Sequence, residues 1–238
     1  MGDRNFASDF FKIRDAVSLK SNFAISRYGD GEYGILKNKA ISGGASGWDF
    51  EPSEHQQVHK LLMDSFTFNH PSYYKGIPCT CCMSQEDCAW MREHSKQKDE
   101  GLTWANIFVN ANYKNYQKHM IPLYQESDVI LVCNERADIS LLPFEVKKDF
   151  RVSDGGWIKD YPVVEEVKKY LKENKLKEHL FLFSAGPLAN ILAHQLMKTS
   201  NKNVYLDIGS TLDPYVGLGF TRGYLAGSAT LSKKCIWP

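Results

Sequence analysis

The sequence lacks any apolar run that approaches the roughly 20 residues needed to cross a bilayer as a helix. Its first residues, MGDRNFASDFF, include acidic side chains and no continuous apolar stretch, which argues against a secretory signal. Blocks of lysine and arginine are also missing, and the net charge is +1, so nothing in the charge favours a nucleic-acid partner. We therefore expect a soluble, cytoplasmic protein with no transmembrane segment and no bound nucleic acid.

Paired C-x-x-C motifs are missing too, although the chain has six cysteines. Four of them lie in CTCCMSQEDC, at Cys79, Cys81, Cys82 and Cys88, and the imidazole nearest to them in sequence is His94. Zinc sites are usually built from two such pairs, so this spacing does not predict zinc. Disulfides are not expected in a reducing compartment. The sequence favours thiols that pack as small apolar groups.

What is present is an alternation of apolar strands and amphipathic helices. Strands are predicted at 23–26, 128–133, 149–153, 179–184 and 203–209, and helices at 6–21, 53–68, 84–98, 112–125, 162–173 and 187–199. In its second half, the order strand, helix, strand, helix, strand indicates βαβ units and therefore a parallel sheet. The sequence predicts an α/β fold of Rossmann-like type, a mostly parallel sheet with helices on both faces, in a single domain over residues 1–238.

Three short polar segments follow predicted strands. They are RYGDGE after 23–26, SAGPLAN after 179–184 and GSTLDPY after 203–208. Ligands of parallel sheets bind beyond the carboxyl ends of the strands, and these three segments meet at that edge. We expect them to form one site.

The segment RYGDGE has the composition of a cation site. Asp30 and Glu32 lie two residues apart, and Gly29 and Gly31 let the backbone fold closely around an ion. A hard divalent cation held by one or two carboxylates completes its shell with waters and substrate phosphates, and Arg27 adds a positive charge suited to a diphosphate. The alternative is a solvated acidic turn before a short helix.

Of the other two segments, one predicts a phosphate-binding site and the other resembles a methyltransferase motif that it does not complete. Gly186 at a turn and Pro187 at the first helical position predict a helix N-terminus that can receive a phosphate, although an ordinary strand-to-helix turn has the same pattern. The run LDIGS also looks like the first motif of S-adenosylmethionine-dependent methyltransferases. That motif needs a further glycine where this chain has Thr211, and only a short stretch follows.

Taken together, SRYGDGEYGIL, FLFSAGPLANILAHQL and VYLDIGSTLDPY resemble the motifs of the GT-D glycosyltransferases, in the same order and at similar separation. The resemblance covers most of residues 20–225. It implies a Rossmann-like enzyme that transfers a hexose or pentose from a nucleotide donor, often a UDP-sugar, to a hydroxyl of a glycan or glycoconjugate, with Mn²⁺ or Mg²⁺. By match to the motifs, Asp30 and Glu32 would hold the metal, and Gly186, Pro187 and Asp207 would line the donor pocket.

One position departs from that family. Some members continue the D-x-G motif with a histidine and soon after a glutamate, whereas this chain has Ser210 and then TLDPY. Asp213 is the nearest carboxylate and is our candidate general base, which must reach the acceptor hydroxyl directly or through a water.

The segment WANIFVNANYKNY adds one further candidate, Asn110, because amides recognise sugar hydroxyls; its neighbour Asn112 is expected to cap the helix 112–125. The complete set of predicted donor-binding residues is Arg27, Gly29, Gly31, Asn110, Ser184, Gly186, Pro187, Asp207 and Ser210. The same residues are compatible with a metal-dependent hydrolase of nucleotides or sugar phosphates and with a nucleotide-binding module without catalysis. A methyltransferase is the weakest alternative.

Overall fold

A computed structural model describes residues 4–42, 49–227 and 233–238 of the chain. Seven strands form one sheet: β1 (Phe23–Arg27), β2 (Tyr73–Ile77), β3 (Leu102–Trp104), β4 (Val129–Asn134), β5 (Val146–Val152), β6 (Leu180–Phe183) and β7 (Val204–Asp207). The strands lie in the order β3-β2-β1-β7-β6-β4-β5. Every pairing among them is parallel, which confirms the predicted class of fold.

Eight α-helices accompany the sheet in the described residues. They are α1 (Phe6–Ser18), α2 (Asp30–Leu36), α3 (Gln56–Thr67), α4 (Gln85–His94), α5 (Tyr113–His119), α6 (Ile121–Gln125), α7 (Pro162–Glu173) and α8 (Pro187–Thr199). None of the helices in this part of the chain is long and apolar enough to cross a membrane.

The strands separate two apolar cores because successive side chains point to opposite faces. In β1, Ala24 packs with the helices α2, α3, α7 and α8, whereas Phe23 and Ile25 pack with α1 and the segment 105–125. All three side chains are buried. Both faces of the sheet are therefore covered, as the near-continuous apolar strands predict for a parallel sheet.

The chain leaves the central strands β1 and β7 toward opposite faces. After β1 it enters α2, whose Tyr33 and Ile35 pack in the first core, and after β7 it enters a 3₁₀ turn, in which Val216 packs in the second. Adjacent strands that diverge in this way leave a crevice at their carboxyl ends, which is where open α/β sheets bind ligands.

The predicted helix boundaries are most accurate where a proline occupies the first position of the helix. Helices 162–173 and 187–199 are found as predicted, each with proline at the first position. The predicted helix 112–125 is wrong as a single element. It breaks at Met120 into α5 and α6, because Pro122 lies in the first turn of α6 and proline cannot continue a helix from the preceding turn.

Other predicted elements end at different residues in the structure, and two strands were not predicted. The helices predicted at 6–21, 53–68 and 84–98 are shorter, and the strand 203–209 ends at Asp207, where the side chain and backbone turn to bind Arg27. The strands β2 and β3 were not predicted. Neither carries an apolar run of the usual kind: β2 contains Lys75 and Gly76, and β3 has three residues.

Candidate functional site

A cavity of about 420 Å³ opens at the carboxyl edge of the sheet. The segments that follow β1, β3, β4, β5, β6 and β7 all contribute to its wall. All three polar segments singled out in the sequence meet here, as the parallel sheet requires. Of the predicted residues, those that line the cavity are Arg27, Gly29, Asp30, Glu32, Asn110, Ser184, Gly186, Asp207, Ser210 and Asp213.

Arg27 and Asp207 join the two central strands at the base of this cavity. The Arg27 backbone N–H donates to Asp207 Oδ2 at 2.8 Å, its Nε to the Asp207 carbonyl at 2.8 Å, and its Nη2 lies 3.3 Å from Asp207 Oδ1. Arg27 Nη1 donates to the carbonyl of Ala105 at 3.1 Å. Burial raises the pKa of the Asp207 carboxyl, and the charge and hydrogen bonds of Arg27 oppose that rise. The pair is therefore an internal brace as well as part of the cavity wall.

Gly209 is required by the close approach of this arginine. Its φ is +55°, a conformation that favours glycine, and a Cβ there would lie 2.1 Å from Arg27 Nη2. Its backbone N–H donates to Asp207 Oδ1 at 3.1 Å. The D-x-G motif thus has a local structural reason: the aspartate holds the arginine and the glycine makes room for it.

The GDGE segment forms the N-terminus of helix α2. Gly29 is the N-cap of α2, and its N–H donates to Glu32 Oε2 at 2.8 Å, which is the half of a capping box that a glycine N-cap can form. Glu32 is 7% exposed. Burial, and then the nearby Asp207 charge, raise the pKa of its carboxyl to about 7, although Arg27 opposes the rise.

Asp30 occupies the first position of the same helix, on the wall of the cavity. It is exposed, and its carboxylate accepts no hydrogen bond from any residue that the structure describes. A cation beside Glu32 and Asp30 would offset the energetic cost of burying the Glu32 carboxylate. The exposed Asp30 carboxylate could bind the same ion as a second ligand. Oxygen donors of this kind suit Mg²⁺ or Mn²⁺.

Helix α8 points its N-terminus at the cavity. Gly186 is its N-cap with a φ of +55°, and Pro187 occupies the first helical position. The start of α8 is tied to β1 by Asn190, whose Nδ2 donates to Ser26 Oγ at 2.8 Å and to the Arg27 carbonyl at 2.9 Å. This fixes a helix N-terminus beside the arginine and the two carboxylates, where an anion would be stabilised.

The remaining predicted residues differ in their surroundings. Ser210 Oγ lies 2.9 Å from the hydroxyl of Tyr224, and Asn110 has a φ of +51° at the start of a 3₁₀ turn. Asp213 is 8% exposed and accepts a hydrogen bond from Thr221 Oγ1, and burial raises the pKa of its carboxyl.

Two predicted donor-binding residues, Gly31 and Pro187, lie outside the cavity wall. Asn112 is the N-cap residue of α5, as predicted, but its side chain does not cap the helix. Its Nδ2 donates to the Phe6 carbonyl at 3.3 Å and its Oδ1 accepts from Asn115, so the side chain joins two helices.

Sequence reasoning missed several residues of the wall. They include Asn106, Asn134, Arg136, Trp157, Thr221, Arg222 and Tyr224. Asn190 was missed as well, although it stands in the SAGPLAN segment. Its signal was available as a polar residue in the buried run LANILA, which needs a hydrogen-bond partner.

The predicted role of the cysteines holds in part. Cys88 and Cys133 are buried, as expected of thiols in a core, but Cys81 and Cys82 are exposed. The sequence did not predict that Cys235 would lie near Cys79.

No family model and no curated protein sequence matches this chain. Two solved structures share its fold. One is described as the selenomethionine-substituted structure of domain of unknown function 1792, with a TM-score of 0.55 and 16% identity over 87% of this chain and 85% of that one.

The second structure is described with the statement that the highly conserved domain of unknown function 1792 has a distinct glycosyltransferase fold. Its TM-score is 0.54, again at 16% identity over 87% of this chain and 85% of that one. The chain therefore has an α/β fold of the kind described there as a glycosyltransferase fold.

Proposed function

We propose that this protein is a metal-dependent glycosyltransferase that moves a sugar from a nucleotide-diphosphate donor, a UDP-sugar first of all, to a hydroxyl of a glycan or glycoconjugate. The observation that carries the proposal is the meeting of three elements on one cavity wall: Asp30 and Glu32 of α2, the N-terminus of α8, and the buried carboxyl of Asp213. The fold shared with a structure described as a glycosyltransferase fold supports it.

Asp30 and Glu32 would hold the Mn²⁺ or Mg²⁺ ion. Such an ion, when bound, offsets the negative charge that grows on a leaving diphosphate. The Gly29 N–H fixes Glu32 for this role, and the Asp30 carboxylate accepts no hydrogen bond from residues 4–42, 49–227 or 233–238.

The diphosphate would lie against the N-terminus of α8. The positive end of its helix dipole favours an anion, and Asn190 holds this end of the helix to β1. Arg27 supplies a fixed positive charge at the cavity base, where Asp207 and the Ala105 carbonyl keep its guanidinium in place. Because these groups are ordered before the ligand arrives, little reorganisation is required during the reaction.

Asp213 is proposed as the general base for the acceptor hydroxyl. Its burial raises the pKa of the carboxyl and so makes it a better proton acceptor, while the hydrogen bond from Thr221 orients it. Ser184, Ser210 and Asn110 offer hydroxyl and amide groups to donor or acceptor on the same wall.

The test is a transfer assay with the double variant Asp30→Asn/Glu32→Gln. Both changes keep side-chain size and remove the charge that would hold the ion, and loss of such an electrostatic partner typically costs on the order of 10²–10³-fold in rate. We expect EDTA to abolish transfer by the wild type, Mn²⁺ or Mg²⁺ to restore it, and neither to affect the residual rate of the variant.

The matched control is Glu166→Gln on the exposed side of α7, which should transfer at the wild-type rate. A folded double variant with near-normal turnover, or full wild-type activity in buffer shown by elemental analysis to be free of metal, would refute the proposal. Incubation with donor alone separates the transferase from a hydrolase, since only a hydrolase reaches its full rate without an acceptor.

A further inference from the structure

Four of the six cysteines come together at the rim of the sheet, beside the cavity but outside its wall. The sulfur atoms of Cys79, Cys81 and Cys82 all lie within 4.8 Å of one another. Cys235, from the far end of the sequence, lies near Cys79 and helps to raise the pKa of its thiol.

One amide group touches three of these sulfurs. Asn106 Nδ2 lies 3.5 Å from the sulfur of Cys82, 3.6 Å from that of Cys235 and 3.9 Å from that of Cys79. An N–H group directed at a set of sulfur atoms is a common outer-shell feature of metal sites, where it stabilises thiolate charge.

The backbone forms a compact turn around the cluster. Directly after β2, the N–H groups of Cys82 and Met83 both donate to the Cys79 carbonyl, at 3.0 and 3.1 Å. The last residues of the chain return to this turn, because Thr80 N–H donates to the Ile236 carbonyl at 3.2 Å. Trp237 anchors that return against Trp104, with ring centres 4.6 Å apart.

We propose that Cys79, Cys81, Cys82 and Cys235 bind one zinc ion, which joins the turn after β2 to the end of the chain. Four sulfur donors are the preferred set for tetrahedral Zn²⁺ in structural sites, whereas Mg²⁺ and Mn²⁺ prefer oxygen. This site is therefore separate in chemistry from the carboxylates Asp30 and Glu32.

The sulfurs of Cys79, Cys81 and Cys82 lie at spacings close to those that a tetrahedral ion needs. The sulfur of Cys235, which lies 3.6 Å from the shared Asn106 amide, moves closer to them to complete the set. Zn–S bonds of about 2.3 Å place the sulfurs roughly 3.8 Å apart, and the Cys79 and Cys81 sulfurs are 3.0 Å apart. The Cys81 side chain is exposed and can rotate outward by the difference. Cys82, exposed as well, gives the ion a path of entry.

Binding exchanges protons for the cation. Each thiol loses its proton to solvent as a Zn–S bond forms, so four thiols release up to four protons and the site carries a net charge of −2. The Asn106 amide offsets part of that charge. No oxidant or reductant is needed.

The two remaining cysteines do not belong to the site. Cys88 turns its sulfur toward the carbonyls of Pro78 and Met83, at 3.5 and 4.0 Å, and Cys133 is buried in β4. Cys88 and Cys133 therefore provide matched controls for the four proposed ligands.

A disulfide within the cluster is a different arrangement, because its two sulfurs must approach to about 2.05 Å.

The experiment measures zinc in the full-length protein, purified in a thiol reductant without chelator. We expect about one zinc per chain by elemental analysis, and a Co²⁺-substituted protein with thiolate-to-cobalt charge-transfer absorption in the near ultraviolet. Competition with a chromogenic chelator should show zinc affinity at least 100-fold weaker for Cys235→Ser and Cys82→Ser, and unchanged for Cys88→Ser and Cys133→Ser. Asn106→Ala should weaken zinc binding by roughly 10- to 100-fold, as outer-shell changes do.

Three results would overturn the proposal: no zinc retained either as purified or after reconstitution, equal loss in Cys88→Ser and Cys235→Ser, or a disulfide within the cluster under reducing conditions. Circular dichroism checks that each variant is folded. If Cys235→Ser does not fold, the exposed Cys81→Ser provides the same comparison. Zinc content and zinc affinity are measured without sugar transfer, so this proposal and the proposed function can fail independently.

Discussion

At the scale of single residues, the Glu32 carboxyl lowers folding stability when it is ionised, because it is buried, and it is also a proposed metal ligand. Its folded-state pKa of about 7 lies above the roughly 4.3 of an unfolded chain. The unfolded state therefore loses its proton first as pH rises. Folding stability due to this group is complete below about pH 4, declines between about pH 4 and 7, and stays reduced above pH 7.

Glu32→Gln should therefore stabilise the metal-free protein at pH 8 and leave it unchanged near pH 4. The shift in pKa corresponds to about 4 kcal/mol as an upper value, and glutamine can still accept the Gly29 N–H. Urea unfolding at both pH values measures the difference, with Glu166→Gln as the control that should gain nothing.

Added Mn²⁺ should reverse that order at pH 8, because the ion stabilises only a protein that keeps the ionised carboxylate. Equal stability of wild type and Glu32→Gln at every pH would show that burial of this carboxyl carries no cost.

Gly209 permits a separate test of the Arg27–Asp207 brace. Gly209→Ala introduces both a strained backbone, worth about 1–3 kcal/mol, and a Cβ 2.1 Å from Arg27 Nη2. Gly219→Ala has the same kind of backbone strain, with φ of +76°, and its Cβ would meet no atom of the described residues within 4 Å.

We expect both glycine variants to lose stability in thermal unfolding, and Gly209→Ala to lose more. Only Gly209→Ala should weaken donor binding, measured by calorimetry, because only it displaces the arginine. Similar donor affinity in both variants would mean that the position of Arg27 does not matter to the ligand.

At the scale of elements, the site depends on how α8 is fixed against β1. Asn190 is fully buried and makes this connection through Ser26 and the Arg27 carbonyl. Without it, apolar packing would still hold the helix to the sheet, but no other side-chain hydrogen bond within the described part of the chain joins its first turn to β1.

Asn190→Ala should cost about 1–3 kcal/mol of stability, since a buried carbonyl and hydroxyl lose their donor. It should also lower kcat/KM with a metal dependence like that of the wild type. Asn174→Ala removes a comparable bond from an exposed amide to the Tyr170 carbonyl and should change neither. A normal kcat/KM in Asn190→Ala would assign the residue to stability alone.

At the scale of the whole molecule, the topology determines where the site lies. The strands β1 and β7 are neighbours although some 180 residues separate Arg27 from Asp207. The segments that follow them pass to opposite faces, so the crevice between them stays open, and six strand ends supply its wall. The same edge carries the cysteine turn after β2, with Asn106 lying between that cluster and the cavity.

The sequence by itself determined the elements that local patterns encode. The strands β1, β4, β6 and β7 are short apolar runs, and the starts of α7 and α8 are marked by proline. The parallel arrangement followed from the strand–helix order, and the meeting of RYGDGE, SAGPLAN and GSTLDPY followed from the geometry of parallel sheets.

Only the tertiary structure decided what depends on contacts between distant segments. The strand β2 forms although it contains Lys75 and Gly76, because its neighbours supply the hydrogen bonds, and Gly76 lets the backbone of Ala105 approach closely. In the same way, Cys235 joins the other thiols through the docking of Trp237 on Trp104. Local periodicity reports how one segment is buried and carries no record of which remote segment buries it.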